Sequence, residues 1–217
     1  MIIHDFSNEN SVLNQFISEL RDVDVQKDAM RFRKNIERIG EVLSYELSKT
    51  LNYQPYSITT PFGSKEVNLA KDKLVLCSVL RAGLPLHTGL LNYFDKAENA
   101  FISAYRNYRN NQDAFEVIVK YLAAPNLNGK TLVLTDPMLA TGKTLENVLA
   151  AFKKHGEPEQ IHIVSVIGSR VGVEYVKSIF PENTHLWIAT IDDTLSSKGY
   201  IIPGLGDAGD LSFGLKL

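Results

Sequence analysis

The 217-residue chain has a single cysteine, Cys77, so no intrachain disulfide can form, and five histidines with one thiol cannot supply a Cys-rich zinc site. Neither sign of charge is in excess. Its 23 basic and 25 acidic side chains leave a net charge of −2, so no global field draws the chain to nucleic acid or to anionic lipid. Any anion it binds must be held by a local site. No apolar run approaches the roughly 20 residues of a membrane helix. The opening MIIHDFSNEN has neither the basic-then-apolar order of a secretory signal nor the Arg-rich character of a transit peptide. Repeats, low-complexity tracts and clear linkers are missing as well. These absences lead to the expectation of a cytoplasmic protein that binds neither nucleic acid nor membrane. The 44% hydrophobic and 22% charged fractions exclude a disordered or fibrous chain. A chain this long buries roughly 70% of its unfolded surface and can fold without a staple, so one domain over residues 1–217 is expected.

The first third carries helical spacing, in Val12, Leu13, Phe16, Ile17 and Leu20 and again from about Gln26 to Leu51. TTPFGSKEVNL (59–69) sets Pro61, Gly63 and Ser64 between β-branched stretches and reads as a hairpin. From Leu74 the pattern alternates. LVLCSVL (74–80), AFISAY (100–105), TLVLTD (131–136), IHIVSVIG (161–168) and HLWIAT (185–190) are short apolar runs without polar alternation, as expected of strands buried on both faces of a parallel sheet. Helix-like stretches at roughly 84–94, 143–155 and 171–179 separate them. The class implied is α/β, an open, mostly parallel twisted sheet with helices on both faces and a core over about 70–195. The glycine-rich tail YIIPGLGDAGDLSFGLKL (200–217) has no helical period and is expected to be a cap of loops. Cys77, inside an apolar strand, reads as a buried core residue.

Ligands of open parallel sheets bind beyond the carboxyl ends of the strands. In TLVLTDPMLATGKTLENVL (131–149) a buried strand runs into Asp136, then a loop, then a helix from about Lys143. Backbone N–H groups of residues 140–144, with the hydroxyls of Thr141 and Thr144, would form an anion cradle suited to a phosphate monoester; an N-capped helix after a loop is the plain alternative. Asp136 could accept hydrogen bonds from sugar hydroxyls or hold hydrated magnesium. A triphosphate P-loop needs glycine five residues before Gly142, where Pro137 stands. In VLRAGLPLHTGLL (79–91), Arg81 follows a strand at once, a position that fits either a diphosphate or a surface arginine. Gly83 there would let the backbone approach a ligand, and His87 reads as structural. AYRNYRNNQDAFEV (104–117) ends a strand at Tyr105 and Arg106 and continues into a polar loop with Arg109, either a lid or a solvated loop. GLGDAGD (204–210) exposes backbone groups around Asp207 that could read a planar ring by its edge; its spacing does not match an EF-hand calcium loop.

Together these residues resemble the uracil phosphoribosyltransferase family, a branch of the type I phosphoribosyltransferases. TLVLTDPMLATGKT resembles the phosphoribosyl-diphosphate motif of that fold. DPMLATG, YIIPGLGDAGD and, upstream, RFRKNIERIGEVLSYE (31–46) resemble the uracil branch, over residues 28 to the C-terminus. The resemblance implies N-terminal helices and a small hood made by the hairpin and the tail, which would grip uracil over about 200–217. It implies transfer of the phosphoribosyl group from phosphoribosyl diphosphate to N1 of uracil, giving UMP, with Mg²⁺ carried mainly on the diphosphate and no direct protein ligand. Asp136 would bind the ribose hydroxyls, Ala140, Thr141, Gly142, Lys143 and Thr144 the 5′-phosphate, and Arg81 and Arg106 the diphosphate. Pro137, Met138 and Leu139 complete the donor-binding loop. Ile201, Gly206, Asp207 and Ala208 would bind uracil, with Asp207 also near the donor. A homodimer or larger homo-oligomer is implied too. The loop ends Gly-Lys-Thr where the family usually has Gly-Gly-Ser, so Lys143 is expected to add charge at the cradle. The alternative on the same fold is an RNA-binding regulator of pyrimidine genes.

Overall fold

The computed structural model describes residues 1–108 and 115–216, and the side chains of these except 104–108 and 115–119. A short strand, β1 (Ile2–Asp5), precedes two helices, α1 (Val12–Arg21) and α2 (Ala29–Ser48). Asp28 starts α2 by accepting the N–H groups of Met30 and Arg31 at 3.0 and 3.1 Å. The helical spacing of this region is borne out, but β1 has no signature of its own. Four residues carry too little pattern, and only pairing with a strand far along the chain makes them extended. A hairpin follows, β2 (Tyr53–Thr60) and β3 (Gly63–Ala70), turning at Pro61 and Phe62 and running further back than the 59–69 segment that marks it. The chain then alternates through β4 (Leu74–Leu80), α3 (Gly83–Leu91), β5 (Glu98–Tyr108), β6 (Phe115–Ala123), β7 (Thr131–Thr135), β8 (Met138–Leu139), α4 (Lys143–Phe152), β9 (Gln160–Ser169), α5 (Arg170–Ile179) and β10 (His185–Asp192). The tail adds β11 (Thr194–Leu195), β12 (Ile201–Ile202) and α6 (Ala208–Phe213). That last helix corrects the expectation of loops alone. Six residues make fewer than two turns, too few for a visible period, and Asp207 starts it by accepting the Asp210 N–H at 3.0 Å.

The main sheet has the order β1-β10-β9-β7-β4-β5-β6, with β8 on β9; every pairing is parallel except that of β5 with β6. Because strand side chains alternate between faces, one strand feeds two cores. Leu76, Val133 and Val164 face Ile36, Ile39 and Leu43 of α2 and Leu86 and Leu90 of α3. Their neighbours Cys77, Leu134 and Ile163 face Val148 and Phe152 of α4 and Val173 and Val176 of α5. Each such fully buried aliphatic side chain contributes roughly 1.5–3 kcal/mol. Cys77 is one of these core residues, and burial pushes its thiol pKa up, so it is not a nucleophile. Among the described residues no helix is long and apolar enough to cross a membrane.

The topology decides where a ligand can sit. The chain runs outward from β4 through β5 to β6, then returns to lay β7 on the other side of β4 and continues through β9 to β10. The direction of travel reverses between β4 and β7, and their carboxyl ends diverge into a crevice. Arg81 and Asp136 stand at those two ends.

At the opposite edge of the sheet, His4, His162, His185 and Trp187 form a ring stack. The His4 and Trp187 centroids lie 3.6 Å apart, His4 Nε2 is 3.0 Å from His185 Nδ1, and the Trp187 N–H donates to His162 Nδ1 at 3.0 Å. Burial, reinforced by His185 and His4, lowers His162 to about 3, and burial also lowers His4 and His185. Unfolded imidazoles near 6.5 take up protons that the folded ones refuse, so stability falls as pH drops from about 6.5 toward 3. Between pH 7 and pH 5 His162 alone costs about 2 kcal/mol. Urea unfolding should show that loss, with a shallower dependence in His162→Gln; a midpoint indifferent to pH over this range contradicts it.

Candidate active site

The loop after β7 is stitched along β9. The Asp136 N–H donates to the Val164 carbonyl at 3.1 Å, and the Asp136 carbonyl accepts the Ser165 hydroxyl at 2.6 Å. The Pro137 carbonyl accepts the N–H groups of Val166 and Ile167, at 3.2 and 3.0 Å. The Asp136 carboxylate, which also accepts the Met138 N–H at 3.3 Å, is thereby fixed at the mouth of the crevice. Gly142, at φ 77°, turns the chain into α4 and offers no side-chain cap; the Lys143 N–H donates a long hydrogen bond of 3.4 Å to the Thr141 hydroxyl at this helix start. The start of α5 presses on this turn from behind. The Ser169 hydroxyl donates to the Ala140 carbonyl at 2.5 Å and accepts the Gly172 N–H at 2.9 Å. A Cβ on Gly172 would stand 2.2 Å from the Ala140 oxygen. Ser165, Ser169 and Gly172 escape a sequence reading because they sit 29 or more residues from their partners. A small cavity of about 10 Å³ is enclosed by Asp136, Met138, Leu139, Ala140, Thr141, Gly142, Thr144 and Leu145.

Beside it opens a cavity of about 700 Å³, the size of a nucleotide site. Arg81, Ser103, Asp136, Met138, Ala140, Thr144, Gly206, Asp207, Asp210 and Lys216 all line it, so three separated sequence clusters meet in one hollow. The Leu80–Arg81 peptide is cis, as is Ile202–Pro203. The Arg81 guanidinium donates to Asp210 at 2.9 Å and to the Gly214 carbonyl at 3.2 Å. At the start of the same short helix, burial pushes the Asp207 carboxyl up, but the Asp210 N–H and the Lys216 ammonium, 3.3 Å away, hold it below its ordinary value. The Ala208 N–H donates to the Met138 sulfur at 3.4 Å, which closes the loop after β7 against the tail.

Not every expected residue lies on a wall. Pro137, Lys143, Ile201 and Ala208 line neither cavity. Ile201 is buried, opposite Leu195 across the β11–β12 pair. Lys143 corrects the expectation of a charge in the cradle: its ammonium lies over the Tyr175 ring, 4.2 Å from the centroid, and pairs with Glu146 at 3.1 Å. Gly83 is small for packing, since a Cβ there would meet the Thr135 carbonyl at 2.8 Å and the Ser78 hydroxyl at 2.9 Å. His87 is buried and shares a hydrogen bond of 2.7 Å with Asn99, a structural role. Arg106 falls on β5, its backbone opposite Val117. Its side chain and the loop through Arg109 lie outside the described residues.

The family model for uracil phosphoribosyltransferase matches residues 7–214. A uracil phosphoribosyltransferase of Porphyromonas gingivalis is 50% identical over 216 residues, covering 100% of this chain and 99% of the relative. One from Pyrococcus furiosus is 36% identical over 215 residues, 98% of this chain and 90% of the relative. The chain belongs to the uracil phosphoribosyltransferase family. A solved structure of an Aquifex aeolicus protein superposes with a TM-score of 0.87 at 30% identity, over 100% of both chains. A hypoxanthine phosphoribosyltransferase of Staphylococcus aureus shares the fold, with a TM-score of 0.50 at 15% identity over 87% of this chain and 84% of that one. The family match begins well before residue 28 and takes in α1.

That earlier start has a physical counterpart, because α1 anchors the tail of this uracil phosphoribosyltransferase family member. Arg21, at the end of α1, forks onto Asp192 at 2.8 and 2.6 Å and donates to the Gly204 carbonyl at 2.9 Å. Asp192 also accepts the Gly204 N–H at 2.8 Å. Burial pushes Asp192 up, and Arg21 with the Gly204 amide brings it below its ordinary value. Arg21→Met would leave this buried carboxylate unpaired and should cost about 3 kcal/mol in urea unfolding. Arg21→Met combined with Asp192→Leu should recover most of that loss. A single variant as stable as the parent contradicts the anchoring role.

Proposed function

We propose that the chain joins uracil to phosphoribosyl diphosphate in pyrimidine salvage, giving UMP and diphosphate. The bond between uracil N1 and the ribose anomeric carbon forms as the carbon–oxygen bond to diphosphate breaks, and the N1 proton is lost. The single observation that carries the reading is the shared hollow in which Asp136, the amide turn before α4, Arg81 and the tail around Asp207 face one another. In this reading the residue 140–144 turn holds the 5′-phosphate, Asp136 the ribose hydroxyls, and Arg81 and Arg106 the diphosphate. Arg81 has donors beyond the one engaged by Asp210 and Gly214, so it can fork onto phosphate oxygens. Mg²⁺ would come on the diphosphate, and the Asp136 and Asp207 carboxylates on the wall of the same cavity could accept hydrogen bonds from its bound water. When bound, that ion neutralises charge on the leaving diphosphate.

The residues themselves contribute alignment and electrostatics. Holding the reacting atoms in contact contributes roughly 7 kcal/mol or more. No covalent nucleophile is called for, and the buried Cys77 offers none. Gly206 and Asp207, the part of the tail that lines the hollow, would offer backbone groups to uracil, whose N3–H and flanking carbonyls differ from the cytosine edge. Mispairing of that kind rejects a base by ~10⁴-fold. The comparisons lend no support to the RNA-binding alternative. A cytoplasmic setting belongs to the same proposal, as does a homodimer. What supports the dimer is the β2–β3 ribbon, exposed along nearly its whole length, with Tyr53, Tyr56, Ile58, Phe62 and Leu69 open to water. A lone two-stranded ribbon is marginal in water, and a second copy would cover those side chains.

Purified protein given phosphoribosyl diphosphate, Mg²⁺ and a panel of free bases should release UMP from uracil alone; equal use of cytosine or a purine contradicts the assignment. Asp136→Asn should lower kcat/KM about 100-fold with the fold intact, and parental rates would remove Asp136 from the site. Sedimentation should show twice the chain mass, falling to one chain when Tyr56, Ile58 and Phe62 are changed to Ser together.

A further inference from the structure

Lys143 stands inside the phosphate loop, yet its charge is directed elsewhere. Its ammonium donates to the Tyr175 hydroxyl and pairs with Glu146 at 3.1 Å, and the Tyr175 hydroxyl donates to Glu146 at 2.8 Å. These contacts close a ring of three side chains between α4 and α5. The same tyrosine ring packs on the turn itself, since a Cβ on Gly142 would meet Tyr175 Cδ1 at 2.8 Å and Val176 Cγ1 at 3.0 Å. Gly142 takes φ 77° without strain because it has no Cβ, and the same absence lets the Tyr175 ring lie directly against the turn.

We infer that Lys143, Tyr175 and Glu146 form a positioning cluster that ties the phosphate-binding turn to α5, with the Lys143 ammonium committed to that cluster and not to a bound 5′-phosphate. This rests on the proposed reading of that turn as a phosphate site. The ring hydrogen bonds raise the Lys143 pKa and lower that of Glu146, so both partners stay charged near neutral pH and the pairing persists at working conditions. Lys143 lines neither cavity, whereas Gly142 and Thr144 on either side of it do. Lys143, Glu146 and Tyr175 are therefore positioning residues, acting on the ligand through the orientation of the amides between Thr141 and Thr144.

The test is a double-mutant cycle read by calorimetric binding of UMP to the intact protein, with steady-state KM values for both substrates beside it. Tyr175→Phe removes only the hydroxyl and keeps the ring on Gly142; it should weaken UMP binding about three- to tenfold. The KM for phosphoribosyl diphosphate should rise in parallel while that for uracil stays within error, a split that general loosening of the fold does not produce. Lys143→Met should lose a similar factor, and the double variant no more than the worse single one, because both break the same ring. Glu146→Gln gives a second route to the same loss should either variant fold poorly. Tyr175→Phe binding UMP as tightly as the parent, or more tightly through a released lysine, overturns the inference. So does a double variant whose loss is the product of the single losses. A folded parent that binds no UMP and makes none overturns the phosphate-site reading itself, and the inference with it.

Discussion

The five residues of β7 are buried throughout and bonded in parallel to β4 on one side and β9 on the other. Every other feature of the hollow takes its place from that strand. Where β7 stops, Asp136 begins, still held to Val164 and Ser165 of β9. Where the neighbouring β4 stops, Arg81 begins. Reversal of the strand order between the two parts their carboxyl ends, so the chain makes its crevice by topology before any polar side chain is placed. The hydrophobic faces on either side fix the register, because a slip of one residue would turn Cys77, Leu134 and Ile163 toward the wrong helices.

Polar residues then close the hollow from three directions. Ser169 and Gly172 hold the Ala140 carbonyl from behind, Tyr175 lies against Gly142, and the Ala208 amide meets the Met138 sulfur from the tail. The tail is anchored in turn by Arg21 through Asp192 and Gly204. The walls of the cavity thus combine strand and helix ends with the loops that join them, and the restraints on those loops come from regular elements. This arrangement suits a reaction in which two small molecules must be aligned and water kept from the anomeric carbon.

Legibility in the sequence followed the kind of signal each feature leaves. Buried parallel strands are continuous apolar runs, so β4, β7, β9 and β10 could be read within one or two residues at each end. The acid, loop and Gly-Lys-Thr of the turn before α4 are contiguous, and so is GLGDAGD; their likeness to a family could be seen without coordinates. β1 was not legible, because four residues become a strand only by pairing with β10. The six residues of α6 were too few to show a period. The side chain of Lys143 misled for a related reason. Its position in the loop is local information, whereas its direction is set by Tyr175, 32 residues away on another helix.

The order of apolar and polar residues along this chain determined the sheet, the two layers of helices and the chemical types available at each strand end. These follow from local periodicity and from the free energy of burying apolar surface, which a single stretch of sequence already encodes. Tertiary structure alone decided which strand ends adjoin, that Asp136 and Asp207 share a cavity, and that Arg21 and Tyr175 serve loops far from them in the chain. Contacts of that kind depend on parallel crossovers and on close approach between helices and loops, and neither leaves a trace at fixed spacing in the sequence.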